Sequence, residues 1–94
     1  METLKLNDGT VIQNAETIQA VVGLWIHIRS GLTIQSAFSL FADPEKTSRI
    51  TTDKAEPYKP DDPIVYDGYT NLFSIRQEDD GEIVIGLKGA AADA

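Results

Sequence analysis

One strand-like segment carries side chains able to do chemistry. Residues 25–31 read "WIHIRSG" and include the chain's single Trp and single His. On an extended strand, Trp25, His27 and Arg29 would point to the same face, because successive side chains alternate. They could hold an aromatic or anionic ligand, with the indole as a platform and the guanidinium as a clamp. The alternative is a strand whose aromatic residue serves packing alone, the commoner role in sheets.

Catalysis at this segment would need partners that the sequence does not identify. A His base requires a nucleophile and an orienting carboxylate close in space. The chain has no Cys, which excludes thiol nucleophiles, disulfides and zinc–thiolate sites. Its glycines form neither G-x-G-x-x-G nor a Walker loop, and G-x-S-x-G is absent. We therefore expect no enzymatic activity and no cofactor.

Acidic segments raise the question of a metal site. "EDDGE" at 78–82 is rich in oxygen ligands but lacks the alternating spacing of a calcium loop. Asp80-Gly81 instead predicts the tight turn of a hairpin. The "KPDDP" segment gives equally weak evidence for a metal site. One His cannot supply the ligands of most zinc sites by itself. We expect no metal site.

The charge distribution limits the classes of partner. The net charge is -7, and residues 51–94 hold ten acids against four bases, whereas residues 1–50 hold five against four. An acidic chain repels phosphate backbones, which argues against nucleic acid as a partner. The acidic half favours solubility or, alternatively, docking onto a basic partner.

No segment has the pattern of a targeting or membrane sequence. The start of the chain lacks the basic and apolar regions of a signal peptide, and the longest apolar run is too short to span a bilayer. We expect a protein that is made and used in the cytoplasm or carried in a soluble assembly, with no membrane partner.

Two strong strand patterns open the chain. "LKLNDGTVI" (4–12) places Asp8-Gly9 between apolar runs and predicts a hairpin. Residues 13–20 are polar and fit a loop, a helical turn or a continuing strand. "VVGLWIHI" (21–28) is β-branched and aromatic, which favours a strand, with its aliphatic face formed by Leu24, Ile26 and Ile28.

The following segment changes to a helical period. An apolar stripe at i, i+3, i+4 and i+7 predicts a helix that packs on the sheet, formed by Ile34, Ala37, Phe38 and Phe41. Thr33 is a suitable N-cap. Pro44 ends the helix nearby, or alternatively Asp43 caps a new turn with Pro44 in its first position.

The second half is predicted to be mostly strand. Residues 46–52 resemble a short, exposed edge strand, and residues 53–63 form a long surface loop with three prolines. Residues 64–77 are strand-like, with a bend or bulge at Asp67-Gly68. Residues 83–88 form the returning strand of the last hairpin, with alternate residues inward.

These elements define the fold prediction. The class is α+β, in the order βββαβββ(β), with six to seven strands and one helix. The sheet is mostly antiparallel or forms a small half-open barrel. Residues 1–89 make a single domain, and residues 90–94 form a frayed tail because no core residue holds them.

Two tyrosines give a further candidate surface. Tyr66 and Tyr69 flank Asp67-Gly68 after the proline-rich loop. Aromatic side chains beside a loop suit protein contacts, but they can equally cover the core. The candidate interaction surface therefore consists of Trp25, His27, Arg29, Tyr66 and Tyr69.

Several motifs in order resemble a known group of proteins. They are "L-x-L-x-D-G-T", a helix running into "F-x-D-P-E-K-T", and "Y-x-G-Y-T-x-L" before a terminal hairpin. Together they are similar to small, uncharacterised phage and prophage proteins of Gram-positive gut bacteria, encoded near tail and baseplate genes. The resemblance implies a structural or assembly role and no catalytic residues.

The functional expectation combines both lines of reasoning. We expect a non-enzymatic structural or assembly protein that contacts other phage structural proteins or itself. The alternative is a small ligand- or glycan-binding module that uses the Trp25, His27 and Arg29 face.

Overall fold

The described part of the chain forms a seven-stranded antiparallel sheet with two short helices. A computed structural model describes residues 2–21, 23–29, 31–53 and 64–89; the predicted proline-rich loop, from residue 54 on, and the predicted tail lie outside the described residues. The strands are β1 (Glu2–Lys5), β2 (Val11–Ala20), β3 (Gly23–Ile28), β4 (Arg49–Asp53), β5 (Ile64–Asp67), β6 (Asn71–Gln77) and β7 (Ile83–Lys88); the helices are α1 (Ile34–Phe41) and α2 (Pro44–Thr47). The strand order is β5-β4-β1-β2-β3-β7-β6. The α+β class and the mostly antiparallel sheet are confirmed, and the single expected helix is corrected to two.

Both predicted hairpins are present. Asp8-Gly9 lies in the turn between β1 and β2, which the Leu6 amide closes by donating to the Thr10 carbonyl at 2.9 Å. Asp80-Gly81 lies in the turn between β6 and β7, closed by the Glu78 amide. Local turn chemistry was sufficient to place these two connections.

A bulge allows β2 to run for ten residues. Residues 13–20, which the sequence left open, continue the strand. Asn14 has a φ of 57°, and the register with β1 slips by one residue at this point. Asn tolerates the left-handed conformation better than most residues. The extra residue shifts the alternation of side chains along β2 by one position, so that Ile12, Ala15 and Thr17 all face the core.

The sheet is strongly curled. β5 and β6 lie at opposite edges of the sheet, although only residues 68–70 separate them in the chain. In a flat sheet, six gaps between strands would separate them by about 29 Å. Four Cα–Cα steps from Asp67 to Asn71 reach about 14 Å at most. Residues 64–77 are thus strand-like as expected and turn at Asp67-Gly68, but their two halves are separate strands with different neighbours, which gives the larger of the two expected strand numbers.

The core lies on one side of this curled sheet. It contains the aliphatic faces of β3 and β7 that the sequence predicted, namely Leu24, Ile26, Ile28, Ile83, Ile85 and Leu87. Ala37 and Phe41 of α1 complete it, and α1 contacts β6 and β7. Phe38 is 52% exposed. Its expected place in the stripe was wrong, because the short helix buries only the narrow side that carries Ala37 and Phe41.

Both helices begin at residues that the sequence offered as caps. Thr33 caps α1 as predicted, and its hydroxyl accepts from the Ser36 amide at 3.1 Å. Asp43 caps α2 with Pro44 in its first turn, which was the second of the two alternatives.

Residues 46–52 were expected to form an exposed edge strand. Instead Lys46 and Thr47 belong to α2, and β4 lies between β1 and β5. Ile50 of β4 is fully buried because its side chain packs in the core.

The approach of β3 to β7 depends on Gly23. Its φ is +153°, and a Cβ there would lie 2.3 Å from the Leu87 carbonyl oxygen.

Gly23→Ala should destabilise the fold by at least about 3 kcal/mol, because backbone strain and overpacking add. Gly81→Ala is the matched control, since its φ is +92° but nothing lies within 4 Å. It should cost about 1–2 kcal/mol. Urea unfolding of both variants measures the difference, and equal losses would contradict the close approach.

Candidate functional site

Trp25, His27 and Arg29 lie on the side of the sheet away from the core, as the alternation predicted. Trp25 and His27 are half-buried, and Arg29 is exposed. Cross-strand pairing places them beside residues of β2, β7 and β6. We call this surface the outer face; it comprises Glu16, Ile18, Trp25, His27, Phe73, Arg76, Val84 and Gly86.

An aromatic pair occupies the middle of the outer face. The Trp25 and Phe73 rings meet edge to face, with centroids 5.2 Å apart and planes at 74°. Both rings lie over Gly86, where a Cβ would be 2.8 Å from Phe73 Cζ and 2.9 Å from Trp25 Cζ3. The Lys88 ammonium lies 5.1 Å from the Phe73 centroid, within cation–π range. The missing side chain at position 86 therefore lets the rings lie against the backbone.

The outer face has a small apolar layer of its own. Val84 pairs with His27 and Arg76 on this side, yet it is only 2% exposed. Ile18, which pairs with Trp25, remains 45% exposed, and Phe73 remains 40% exposed. The apolar layer is therefore packed within the monomer but leaves large apolar groups in solvent.

Glu82 joins His27 and Arg29. Its carboxylate lies 3.3 Å from His27 Nδ1 and accepts a hydrogen bond from Arg29 Nε. The Glu82 side chain is 11% exposed. The hydrogen bond from Arg29 and, second, the one from His27 lower the pKa of the Glu82 carboxyl, while the same contact raises the pKa of Arg29. Glu82 supplies the carboxylate beside His27 that the sequence could not identify.

This cluster is better suited to holding strands together than to holding a ligand. A half-open depression of about 220 Å³ is lined by Arg29, Gly31, Asp80, Gly81 and Glu82. Its one cation, Arg29, already pairs with Glu82, which reduces its attraction for an anionic ligand. Within the described ranges, no group of three metal-ligating side chains occurs, and no buried side-chain polar atom lacks a partner.

The two candidate tyrosines lie elsewhere. Tyr66 is 8% exposed and belongs to the core, so it contributes little to any surface. Tyr69 is half-buried and contacts it edge to face at 6.1 Å, while its hydroxyl accepts from Gln19 Nε2 at 2.9 Å. The structure therefore brings together Trp25, His27 and Arg29 but separates the tyrosines from them. They cover the core at the link between β5 and β6.

Sequence reasoning did not identify Phe73, Gly86 or Glu82 as parts of this surface. Phe73 is the extra residue of a bulge in β6, where the register with β7 slips between Leu72 and Ser74. A strict alternation would not show which side such a residue faces. The one sequence signal that could have located Gly86 was the predicted strand over residues 83–88. Alternation along that strand places Gly86 on the side opposite Ile85 and Leu87, which is the side that carries Trp25.

Comparisons with protein-family models, curated proteins and solved structures returned no match. The predicted resemblance to phage tail-region proteins is not tested by these comparisons and stays a prediction. In the described part of the chain, no helix is long and apolar enough to cross a membrane.

The low pKa of Glu82 predicts a pH-dependent contribution to stability. A carboxyl whose pKa in the folded protein lies below its ordinary value of 4.5 stabilises the fold above that pH, and the stabilisation is lost as the pH falls through the folded value. Glu82→Gln should therefore lower stability at pH 7, and its difference from the parent should shrink as the pH falls below 4.5.

Urea unfolding across this pH range measures the effect. Glu78→Gln is the matched control, because Glu78 pairs with Arg76 on exposed side chains, where ion pairs contribute little. A Glu82→Gln deficit that stays constant with pH would contradict an ionised anchor at this position.

Proposed function

We propose that this protein is a non-enzymatic structural or assembly component of a phage or prophage tail region, and that it acts by binding other proteins. The motif resemblance supports the phage context, and the outer face supports the mode of action. The protein would work in the cytoplasm of the bacterial host or as part of the virion.

The observation that carries the mode of action is the exposed apolar surface around Trp25 and Phe73. Ile18 and Phe73 present large apolar side chains to solvent on a rigid, paired sheet. Aromatic residues in a surface of this kind favour protein contacts, since they bury much area with little loss of side-chain freedom. The rings are held in place by Gly86 and by each other, so little ordering is required on binding.

A small-molecule role is less well supported by the same residues. The Trp25 ring is half-buried against Phe73, and the Arg29 guanidinium is engaged by Glu82. The platform and the clamp of a glycan site are thus both already in contact with protein. The glycan-binding alternative therefore becomes an outcome of the test rather than a second proposal.

The proposal predicts selective capture of tail-region proteins. The purified chain, immobilised, should retain one or more structural products of the genes that flank its own. Phe73→Ser should reduce this retention at least about tenfold, because truncating an aromatic residue that binds a partner removes about 2 kcal/mol or more, and about 1.4 kcal/mol corresponds to a tenfold change. Phe38→Ser is the matched control, since Phe38 is an exposed aromatic residue of α1 that lies outside the outer face. It should bind as the parent does.

Two results would overturn the proposal. One is that none of the flanking structural proteins is retained. The other is equal retention by Phe73→Ser and Phe38→Ser, with circular dichroism showing both folded. A shift of the Trp25 indole resonance on titration with oligosaccharides, without protein capture, would favour the glycan-binding module instead.

A further inference from the structure

We propose that the free edge of β6 takes up an extended segment of a partner protein as an additional antiparallel strand, with alternate apolar residues and a Lys or Arg at its amino-terminal end. This inference rests on the proposed function in one respect, since it takes the chain to act by binding proteins. It adds a binding site at the edge of the sheet and names the kind of segment that the site holds. Its basis is the backbone of β6, the side chains on both sides of that strand, and the acidic turn that follows it.

The outward groups of β6 follow from its pairing with β7. The Glu78 amide donates to the Glu82 carbonyl at 2.7 Å, so this pair is hydrogen-bonded. Bonded and non-bonded pairs alternate along an antiparallel ladder, and the register of β6 with β7 is regular from Ser74 to the end of the strand. Ile75 and Gln77 therefore lie in non-bonded pairs, and their amide and carbonyl groups point away from β7. We call these four groups the free edge.

No strand in the described part of the chain pairs with the free edge. β6 ends the strand order, and among the described residues no hydrogen bond to these four groups occurs. The other edge strand, β5, is too short to cover them, since its four residues reach back only about 10 Å from Asp67. Ile75 lies about 13 Å along β6 from Asn71. Unpaired backbone groups along an edge are a template for a further strand, which requires an extended occupant.

The side chains beside the free edge favour an apolar occupant. Leu72 and Ile75 pack against the core but are only partly buried. Phe73, on the outer face, is 40% exposed. A strand added to β6 would lie about 4.8 Å away. Its alternate side chains would cover Leu72 and Ile75 on one side of the sheet and Phe73 on the other.

The turn after β6 adds a charge preference. Glu78 pairs with Arg76, and the Asp80 carboxylate accepts from the Glu82 amide. Asp79 is exposed and forms no ion pair with any described residue. Antiparallel pairing is slightly more stable than parallel pairing, and it places the amino-terminal end of the added segment beside Asp79. A Lys or Arg at that end is therefore favoured.

The same charges disfavour a second copy as the occupant. The net charge of -7 makes two copies repel each other. If two β6 strands paired antiparallel through their free edges, a residue from the range 71–75 of the second copy would lie beside Asp79. That range contains no Lys or Arg. A partner segment with a basic amino-terminal end is complementary where a second copy is not.

Amide hydrogen exchange, followed by nuclear magnetic resonance, tests the free edge. In the chain alone, the amides of Ile75 and Gln77 should exchange faster than that of Arg76, which lies in a bonded pair with β7. The probe is a short peptide, blocked at both ends, that alternates Val and Thr and carries Lys at its amino end. At about 1 mM it should slow exchange of both amides at least about twofold, as expected for a dissociation constant of about 1 mM or lower. The same peptide with its Lys moved to the carboxyl end is the matched control and should bind more weakly.

Two substitutions separate the backbone contact from the charge contact. Gln77→Pro removes one outward amide, and Pro is tolerated on an edge strand where the missing N–H faces solvent. It should weaken peptide binding at least about tenfold, because a peptide carbonyl loses its donor, whereas Gln77→Ala keeps the amide and should bind as the parent does. Asp79→Lys should remove the preference for Lys at the amino end. Glu45→Lys, the same charge change in α2, should retain that preference. Circular dichroism checks folding, and if Gln77→Pro does not fold, the peptide pair and Asp79→Lys still decide.

Several outcomes would overturn the inference. They are slow exchange of Ile75 and Gln77 in the chain alone, no slowing by the peptide at about 1 mM, and equal binding by the parent and a folded Gln77→Pro. Protection that rises with the concentration of the chain alone would make a second copy the occupant and overturn the partner segment. None of these measurements uses a tail-region protein, so the edge site can stand if the phage role fails. If the edge site fails while flanking proteins are still captured through Phe73, the proposed function stands without it.

Discussion

The link between β5 and β6 is the constraint on which the rest of the molecule depends. Three residues join the two opposite edges of a seven-stranded sheet, so the sheet must curl to bring those edges together. Curling gives the sheet two different sides. The inner side encloses the aliphatic core and receives Ala37 and Phe41 of α1, while none of the described helices packs on the outer side.

Two bulges make this curled sheet compatible with its sequence. The extra residue in β2, at Asn14, keeps the inward side chains inward on both sides of the irregularity. The extra residue in β6 is Phe73, and its ring joins Trp25 over Gly86 on the outer face. Bulges increase local twist, so the features that shape the sheet are also those that assemble the exposed aromatic surface.

Local signals in the sequence predicted much of this structure. Asp-Gly turns placed two hairpins, Thr33 marked the start of α1, and strand alternation assigned the two sides of β3. The prediction for residues 46–52 was wrong in type at Lys46 and Thr47, which belong to α2, and wrong in pairing beyond them, because β4 is a central strand. The prediction for residues 64–77 did not show that the two halves pair with different neighbours. Whether a strand is central or at an edge depends on neighbours distant in the chain, and a one-residue bulge reverses the side that later residues face.

The sequence by itself determined that the chain is acidic, lacks Cys, and places Trp25, His27 and Arg29 on one side of a strand. Only the tertiary structure decided what those side chains contact. Trp25 packs on Phe73, 48 positions later in the chain, and Glu82 lies 53 to 55 positions from the residues it binds. Such contacts depend on strand order, which arises from burial of the whole apolar face at once and is not encoded in the spacing within any one strand.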